Sequence, residues 1–402
     1  MRQPKQKAAV RPTVRSRGVS TPRVAVLVDT STSWGRRIHT GIHNYDRKHG
    51  GWQLFVEARG MEERLRVPPG WKCDGVIARV GSVEMARELR ALGIPVVNVS
   101  GIDLPGADFP RVISDLRASA TLAANHFLER GFRHFAYFSL LGLGYVATHQ
   151  QAFAEVVSAR GGDFHSFATK PVTGAEPDWN LDLAKLGEWL KDLPKPVALL
   201  TWNPSSAREV IYAAHVAGLL VPEEVAVLSG TDDDLLCELL PVPVSGILVA
   251  AEQTGHQAAR LLDRLMRGLR PPTRPELVAP MGIVTRQSTD TLAIRNPSLV
   301  KALSFIRRNP AQAMHVYDVA RHAGVSRRVL ERQFLETLGR APATEIRRVR
   351  IERAKALLAE TDLPIPDVAE AAGFRSPEYL ACTLRADCGQ TPLKYRRWVR
   401  TR

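Results

Sequence analysis

Two stretches near the C-terminus repeat one another: residues 318–326 read DVARHAGVS, and residues 367–376 read DVAEAAGFRS. Each copy predicts a short helix, a turn at the glycine, and a second helix that begins at the serine, which is the arrangement of a helix-turn-helix. Glycine suits the left-handed backbone of such a turn, because a Cβ atom there would be strained. Ser326 and Ser376 can accept hydrogen bonds from the free amides at the start of the second helix. The repeat therefore predicts an all-α module with two helix-turn-helix motifs.

The second helix of each motif, expected over residues 326–338 and 376–388, is the one that would enter a major groove of DNA. Its N-terminal half would lie nearest the bases, where arginine can contact guanine O6 and N7 with two hydrogen bonds. Each of these arginines could instead hold a phosphate. The side chains predicted to contact DNA are Ser326, Arg327, Arg328, Glu331, Arg332, Arg375, Ser376, Glu378, Thr383 and Arg385.

A long basic helix is predicted between the two motifs, over residues 344–360. Its apolar stripe would hold the motifs at a fixed separation, so that both could enter successive major grooves roughly 34 Å apart. Its arginines either contact phosphate in part or face solvent. These arginines are Arg347, Arg348, Arg350 and Arg353.

The positive charge lies at the two ends of the chain. Of the formal net charge of +14, residues 1–23 contribute +7 and residues 297–402 contribute +9, whereas residues 24–296 carry 28 basic and 30 acidic residues. A basic C-terminal part favours a nucleic-acid partner, and a nearly neutral middle favours a small or uncharged one. The N-terminal stretch has no acidic residue, so it reads as a disordered tail or, as an alternative, as a transit peptide.

The middle of the chain alternates short apolar runs with helical stretches. Runs such as residues 24–28, 75–78, 134–139, 197–200 and 225–228 are followed or preceded by amphipathic segments. This alternation predicts parallel sheets covered on both faces. The segment is large for one sheet, so we expect an α/β fold of two doubly wound lobes. Ligands of such folds bind at the carboxyl ends of the strands.

The remaining motifs argue against an enzyme. No stretch matches a P-loop, GxSxG or HExxH, and no GxGxxG follows the first strand. The four cysteines show no metal spacing and suit a reducing compartment. The acidic run at residues 232–234 could chelate magnesium but is more often a solvated loop or a helix start. No apolar run approaches the ~18 residues of a membrane helix. We therefore expect no enzymatic activity, no cofactor, no metal and no membrane.

The most specific signature follows the second motif, where residues 389–396 fit Gly-x-Thr-Pro-x-x-Tyr-Arg. With residues 365–369 before it, this module resembles the DNA-binding domain of the AraC/XylS family. The family usually has Phe at two positions that are leucine here. They are Leu380 and Leu384, which are still apolar and should pack equally well.

The middle resembles the ligand-binding domain of LacI/GalR-type regulators, a periplasmic-binding-protein-like fold of two lobes. The stretches that carry the resemblance are residues 30–36 with 41–42, 74–79, 97–101, 221–228, 236–239 and 284–290. Its pairing with an AraC-type module is similar to the regulators of xylose operons, which implies a sugar as effector. The resemblance and the strand ends give as ligand-binding candidates Trp34, Arg36, Arg79, Asp115, His149 and Thr231. For Trp34, stacking on a sugar and packing in the core are equally open.

The polar positions of this site depart from the family. Such regulators usually carry Arg where this chain has His149, Asp near Pro204, Asp at Thr231, and Asp-Asn where this chain has Asp115-Leu116. Proline has no side-chain hydrogen bond to offer a hydroxyl group. A different metabolite, or control by a protein partner without any small effector, therefore remains the alternative.

These observations predict four segments: a basic disordered tail at 1–22, a two-lobed sensor at 23–290, a linker at 291–298, and the DNA-binding domain at 299–402. The expected function is that of a cytoplasmic, sequence-specific DNA-binding transcription regulator, acting as an activator. The expected partners are a double-stranded DNA operator, a small neutral effector of the sugar class, RNA polymerase, and a second copy of the chain in a homodimer.

Overall fold

The computed structural model describes residues 21–49, 51–57, 65–68, 70–140, 144–169, 179–291, 293, 296–312 and 314–400. The predicted disordered tail lies almost wholly outside the described residues. The chain divides into two compact units. The first comprises the chain up to Ser114 together with Ala250–Val278, and the second comprises Asp115–Val249 together with Ala279–Arg402.

The first unit is one α/β lobe. Its elements are β1 (Arg23–Leu27), α1 (Ser33–His49), β2 (Gln53–Val56), β3 (Gly75–Ala78), α2 (Val83–Ala91), β4 (Val96–Asn98), β5 (Val112–Ser114), α8 (Ala251–Met266) and β11 (Glu276–Val278). Four strands form a parallel sheet in the order β2-β1-β3-β4, and β5 pairs with β11. Because side chains alternate along a strand, Val24 and Val26 pack with α1 and α8, whereas Ala25 and Leu27 pack with α2.

Helices α1 and α8 touch at their backbones. A Cβ atom on Gly41 would lie 1.9 Å from the carbonyl oxygen of Glu252, and one on Gly255 would lie 2.1 Å from the carbonyl oxygen of Ile38. Only glycine leaves room for so close an approach. Residues Ala250–Val278, which return to this lobe after the second one, are therefore part of its packed interior through α8.

The second unit begins with another α/β lobe. Its elements are α3 (Leu116–Leu128), β6 (His134–Leu140), α4 (Gly144–Ser158), β7 (Asp163–Thr169), α5 (Trp179–Asp192), β8 (Val197–Thr201), α6 (Pro204–Val216), β9 (Val225–Ser229), α7 (Asp234–Glu238), β10 (Ser245–Leu248) and β12 (Gly282–Val284). The sheet order is β12-β10-β9-β8-β6-β7, and β12 alone among these strands runs antiparallel to its neighbour. Helices α3 and α4 cover one face of the sheet, and α5 and α6 cover the other.

The rest of the second unit is helical. Its helices are α9 (Pro297–Arg308), α10 (Val316–Ala323), α11 (Arg327–Leu338), α12 (Pro342–Glu360), α13 (Ile365–Ala371), α14 (Pro377–Cys388) and α15 (Pro392–Arg400). Helices α9 to α11 share one apolar cluster with Ile346 of α12, and helices α13 to α15 share another with Ile351, Ala354 and Leu358. The expected fold class, two doubly wound α/β lobes followed by an all-α domain with two helix-turn-helix motifs, is confirmed.

Each predicted turn has the expected glycine geometry. Gly324 lies at φ 72° and Gly373 at φ 82°. A Cβ atom on Gly373 would also lie 2.1 Å from the carbonyl oxygen of Pro310, so this position has a second reason to be glycine. The predicted caps are present as well, since the side chains of Ser326 and Ser376 accept from the amides of Val329 and Tyr379.

Two histidines lie inside the second lobe. His149 is 1% exposed, with Nδ1 2.9 Å from the Tyr137 hydroxyl and Nε2 3.3 Å from the Ser119 hydroxyl. His126 is also buried, with Nε2 2.9 Å from the Thr289 hydroxyl. Burial lowers the pKa of His149 to about 4 and, with help from a neighbouring arginine, that of His126 to about 3. Both rings are therefore neutral in the folded protein at neutral pH.

We expect acid to destabilise this lobe earlier than carboxylate titration alone would. An unfolded histidine binds a proton near pH 6.5 and the folded His149 does so only near pH 4, so stability is lost as the pH falls below 6.5. The loss from His149 should reach about 2 kcal/mol at pH 5, since one pKa unit corresponds to about 1.4 kcal/mol. Urea unfolding at pH 7.5 and pH 5 measures this loss of stability.

The His149→Gln variant should lose less stability over this range than the wild type, whereas the exposed-site control His43→Gln should behave as the wild type. Equal losses in wild type and His149→Gln would contradict the assignment.

Candidate ligand and nucleic-acid sites

A buried carboxylate organises the carboxyl end of β1 in the first lobe. Asp29 Oδ1 accepts from the amide of Thr32 at 3.2 Å and from its hydroxyl at 2.8 Å. Gly35 lies directly against the Asp29 carbonyl, where a Cβ atom would come within 2.0 Å. These contacts fix the start of α1 and with it the position of Trp34, which lies at the strand edge where a ligand is expected.

Trp34 and Arg79 lie together at this edge. The Arg79 guanidinium is 5.9 Å from the centre of the Trp34 ring, a cation–π distance. The indole packs partly against the lobe's core and stays partly accessible, so core packing accounts for only part of its surface. Arg36 is turned to its own loop, where its guanidinium donates to the carbonyls of Thr30 and Ser31 at 3.0 and 2.8 Å. Its bonds therefore serve the loop.

In the second lobe, the side chains of two ligand-binding candidates make hydrogen bonds within the lobe itself. Asp115 caps α3, since its Oδ1 accepts from the amide of Ala118 at 2.9 Å. His149 lies in the core with both ring nitrogens within hydrogen-bond distance of hydroxyls of the same lobe. The expectation that His149 contacts a ligand does not fit this geometry, because its ring has no exposed nitrogen. The sequence of α4 does not show that this histidine faces inward, because a histidine within a helix is compatible with either a buried or an exposed position.

An aromatic pair at the carboxyl end of the second lobe's sheet escaped the sequence analysis. Trp202 directly follows β8, and its ring lies 4.9 Å from that of Tyr145 and 5.4 Å from that of His149. Both Trp202 and Tyr145 are half-buried. The signal that could have found Trp202 is similar to the one that pointed to Trp34, namely an aromatic residue shortly after the carboxyl end of a buried strand.

The acidic residues after β9 interact with other groups of the protein. The Asp232 carboxylate is fully buried, with Oδ1 2.5 Å from the Arg286 guanidinium. Asp233 caps α7 by accepting from the amide of Leu236 at 3.0 Å. Thr231 is half-buried, and its carbonyl accepts from the Ser229 hydroxyl at 2.6 Å. Among the described residues, no group of three His, Cys, Asp or Glu side chains is arranged to hold a metal ion.

The N-terminal half of α11 is exposed and basic. Arg327 Nε donates to Glu331 Oε1 at 2.8 Å, Arg332 is exposed with its Nε 4.0 Å from Glu336 Oε1, and Arg328 is exposed. The Ser326 hydroxyl oxygen accepts from the amide of Val329, and its O–H can still donate to another group. A helix end with such a set of donors matches what a phosphate backbone or a guanine edge requires.

The second motif presents a smaller set. Arg375 lies with its guanidinium 4.8 Å from the ring centre of Tyr379, and Glu378 and Arg385 are exposed. Thr383 is different, because it is buried and its hydroxyl donates to the Tyr379 carbonyl at 2.6 Å. The expectation that Thr383 contacts DNA therefore fails on burial. Its position three residues from Leu380 places it on the inner side of the helix.

Most of the arginines of α12 are used inside the protein. Arg348 pairs with Glu345 and Asp290, Arg350 donates to the carbonyls of Pro310 and Gln312, and Arg353 donates to the carbonyl of Ala371. Arg347 is exposed. Phosphate contact and simple solvation stay open for this basic face, and the contacts of the arginines add a third role. They connect segments of the helical domain and, through Arg348, reach Asp290.

Three family models match the chain one after another. The XylR N-terminal domain matches residues 23–116, a periplasmic binding protein-like domain matches residues 124–289, and a helix-turn-helix domain matches residues 319–398. Among the described residues, no helix combines the length and apolar character needed to cross a membrane.

Relatives match along nearly the whole chain. The xylose operon regulatory protein of Escherichia coli (strain K12) is 27% identical over 384 residues, which is 93% of this chain and 96% of that protein. Its counterpart in Haemophilus influenzae is 26% identical over 386 residues, covering 93% of this chain and 98% of that protein.

The solved structure of the xylose-binding transcription activator xylR matches with a TM-score of 0.77 and 25% identity, covering 94% of this chain and 98% of that one. A LacI family regulator from Bifidobacterium animalis subsp. lactis matches at a TM-score of 0.52 and 18% identity over 68% of this chain and 99% of that one, which shows the shared fold alone. Since both modules occur in the same order in the XylR-type proteins, this chain belongs to the DNA-binding transcription regulators of the AraC family that carry a XylR-type, periplasmic-binding-protein-like N-terminal domain.

Proposed function

We propose that this regulator binds D-xylose or a related small sugar and, in response, activates transcription from an operator that α11 and α14 recognise. The observation that carries the proposal is the match over 93% of the chain to xylose operon regulatory proteins. The sensor would span residues 23–290, the linker 291–298 and the DNA-binding domain 299–402, preceded by a basic tail. The protein would act in the cytoplasm by binding, without catalysis.

The chemistry at the strand edges suits a sugar. In the second lobe, Trp202 and Tyr145 offer aromatic faces for the C–H surface of a pyranose. In the first lobe, Trp34 is a separate aromatic candidate beside Arg79. Arg79 adds donors for hydroxyl groups. Two of the charged side chains that related regulators usually carry at this site are missing here. His149 lies in the core, and Pro204 is the first residue of α6. We therefore expect recognition to depend more on stacking than on charged hydrogen bonds.

Calorimetry with D-xylose, L-arabinose, D-ribose and D-xylulose tests the effector. We expect one of these sugars to bind, and Trp202→Ala to weaken that binding about tenfold, because a stacking contact is worth about 1.5 kcal/mol. The control is Tyr317→Ala, which removes an exposed aromatic residue of the helical domain. Silence from every sugar at millimolar concentration would remove the sugar proposal. The alternative, another metabolite or a protein partner, would then stand, and a rise in Tm with some other metabolite would identify the first of these.

Arg328 and Arg332 are proposed to read bases from α11. Replacing either by alanine should lower affinity for the operator by about 1–3 kcal/mol while leaving sugar binding unchanged. The operator can be recovered from randomised DNA with the full-length protein and then footprinted. Lys301→Ala serves as the control, since it removes one exposed positive charge from α9, outside the proposed interface. An unchanged footprint and affinity in both arginine variants would show that α11 is not the recognition helix.

The remaining partners follow from the same proposal. An activator needs contact with RNA polymerase, and a homodimer would place two DNA-binding domains on one operator. Around α7 the side chains of Leu235, Leu236 and Leu239 are exposed, and an apolar patch of this kind commonly marks an association surface.

A dimer formed through this patch should be broken by Leu239→Glu. Burial of a carboxylate in an apolar interface is unfavourable, so sedimentation equilibrium should report a monomer for the variant and a dimer for the wild type. Arg267→Glu, a charge change at another exposed site, is the control and should leave the dimer intact. A wild-type protein that sediments as a monomer at micromolar concentration would overturn the homodimer.

A further inference from the structure

A buried ion pair joins the second lobe to the helical domain. Arg307 of α9 is 7% exposed and Glu223, just before β9, is 2% exposed. Arg307 Nη1 lies 2.7 Å from Glu223 Oε1, and its Nη2 donates to the carbonyl of Asp290 at 2.5 Å. One guanidinium therefore holds two separate segments of the lobe at once. Arginine suits this role because its fork presents several donors in a fixed plane.

A second group of charges lies beside the first. Arg348 of α12 pairs with the Asp290 carboxylate and, at 2.7 Å, with Glu345, whose side chain is fully buried. Arg340 also donates to Glu345, at 2.7 Å. Burial alone would raise the pKa of Glu345, but its arginine partners outweigh burial and hold that pKa below its usual value. Glu345 is therefore a charged residue. We call Glu223, Asp290, Arg307, Glu345 and Arg348 the junction network.

The same junction has an apolar part. Leu220, in the loop before β9, packs against the hydrophobic cluster that α9, α10 and α11 share. The hydrophobic cluster of the second helix-turn-helix motif is instead built from residues 351–395. Lobe and first motif thus share a core, and the second motif is connected to them through α12.

A bonded segment runs from the strand edge of this lobe to the junction network. Arg286 pairs with Asp232 after the carboxyl end of β9. Ser288 then donates to the carbonyl of Val227 at 2.5 Å, and Thr289 donates to the Ser245 hydroxyl at 2.7 Å. The next residue is Asp290, which both arginines of the junction network contact. Strand β9 makes the same connection more directly, since Glu223 precedes it and Thr231 follows it.

We propose that Arg307 and Glu223 are positioning residues that make the first helix-turn-helix motif a rigid extension of the second lobe, so that the placement of α11 on DNA follows the state of that lobe. The proposal rests on the proposed function in so far as a sugar sets that state. A ligand changes DNA affinity only when it distinguishes two arrangements of the protein. A motif that shares a core and a buried ion pair with the lobe carries such a difference to DNA, whereas a motif on a free linker would not.

The first experiment needs neither sugar nor operator. Hydrogen exchange is measured on full-length wild type, Glu223→Gln, and Lys301→Gln, which removes an exposed charge from the same α9. Glu223→Gln removes the carboxylate that is bonded directly to the buried Arg307 guanidinium, so amides of α9 and of residues 286–291 should exchange at least tenfold faster, together. Lys301→Gln should match the wild type. If Glu223→Gln fails to fold, Arg307→Lys, which keeps the charge and loses the fork, takes its place. Unchanged exchange in a folded variant would overturn the rigid junction.

The second experiment measures the coupling itself. Operator Kd is determined with and without saturating D-xylose for each protein, and xylose Kd is determined without DNA. The ratio of the two operator Kd values should fall at least threefold towards 1 in Glu223→Gln, while the xylose Kd stays within twofold of the wild type and Lys301→Gln keeps the full ratio. A folded variant with the wild-type ratio would overturn the positioning role. Failure of the wild type to bind xylose would count against the proposed effector alone, and hydrogen exchange would then decide the junction by itself.

Discussion

A carboxylate that is removed from water needs hydrogen-bond donors or a positive charge beside it, and at the junction between the second lobe and the helical domain arginines fill this role. Glu223 and Glu345 are both removed from solvent, and each is met by arginines of the helical domain. Breaking such a pair leaves an uncompensated charge, at a cost of about 3–5 kcal/mol. Glu345 and its arginines all belong to the helical domain, whereas Glu223 and Asp290 belong to the lobe and are met by Arg307 and Arg348. A helical domain that joins this lobe therefore has to present arginines at these two places.

The second lobe separates its tasks between the two ends of one sheet. The aromatic pair of Tyr145 and Trp202 lies where the parallel strands end, and Glu223 lies where β9 begins. A stiff strand and the bonded segment before Asp290 span the distance between them. Parallel sheets leave their strand ends to loops at both edges, so one edge can face a small molecule while the other holds a neighbouring domain. The charge distribution agrees with this division, with the positive excess on the helical domain and a nearly neutral sensor.

The sequence predicted best what depends on local patterns. The repeated motif, its left-handed glycines and its serine caps are properties of a few adjacent residues, and they appear as expected. Buried central strands such as β1, β8 and β9 read as unbroken apolar runs. Edge strand β7 did not, because its residues 163–169 alternate between exposed and half-buried positions.

The sites were harder to predict because they depend on distant partners. Nothing around Arg348 indicates that it meets Asp290, 58 residues earlier in the chain. From sequence alone, His149 and Thr383 are polar candidates for binding. In the structure His149 lies beside Tyr137 of the sheet, and Thr383 is buried against its own domain. Trp34 and Arg328, by contrast, could be proposed from sequence because each is the second residue of a helix whose start is locally marked. Residue type and spacing thus indicated where the candidate sites begin, and burial removed His149 and Thr383 from the candidates.

The glycine contact between α1 and α8 has a consequence for how the chain emerges during synthesis. The first lobe takes core residues from the returning segment, including Ala258, Leu262 and Val278. A ribosome that has completed residue 114 has therefore made most of that lobe and none of the helix that Gly41 was shaped to receive. The second lobe's strands, which follow without interruption up to residue 249, are available earlier as a complete parallel set. Although it stands first in the sequence, the N-terminal lobe is the one that has to wait, with its apolar face unpaired, until more than half of the chain has left the ribosome.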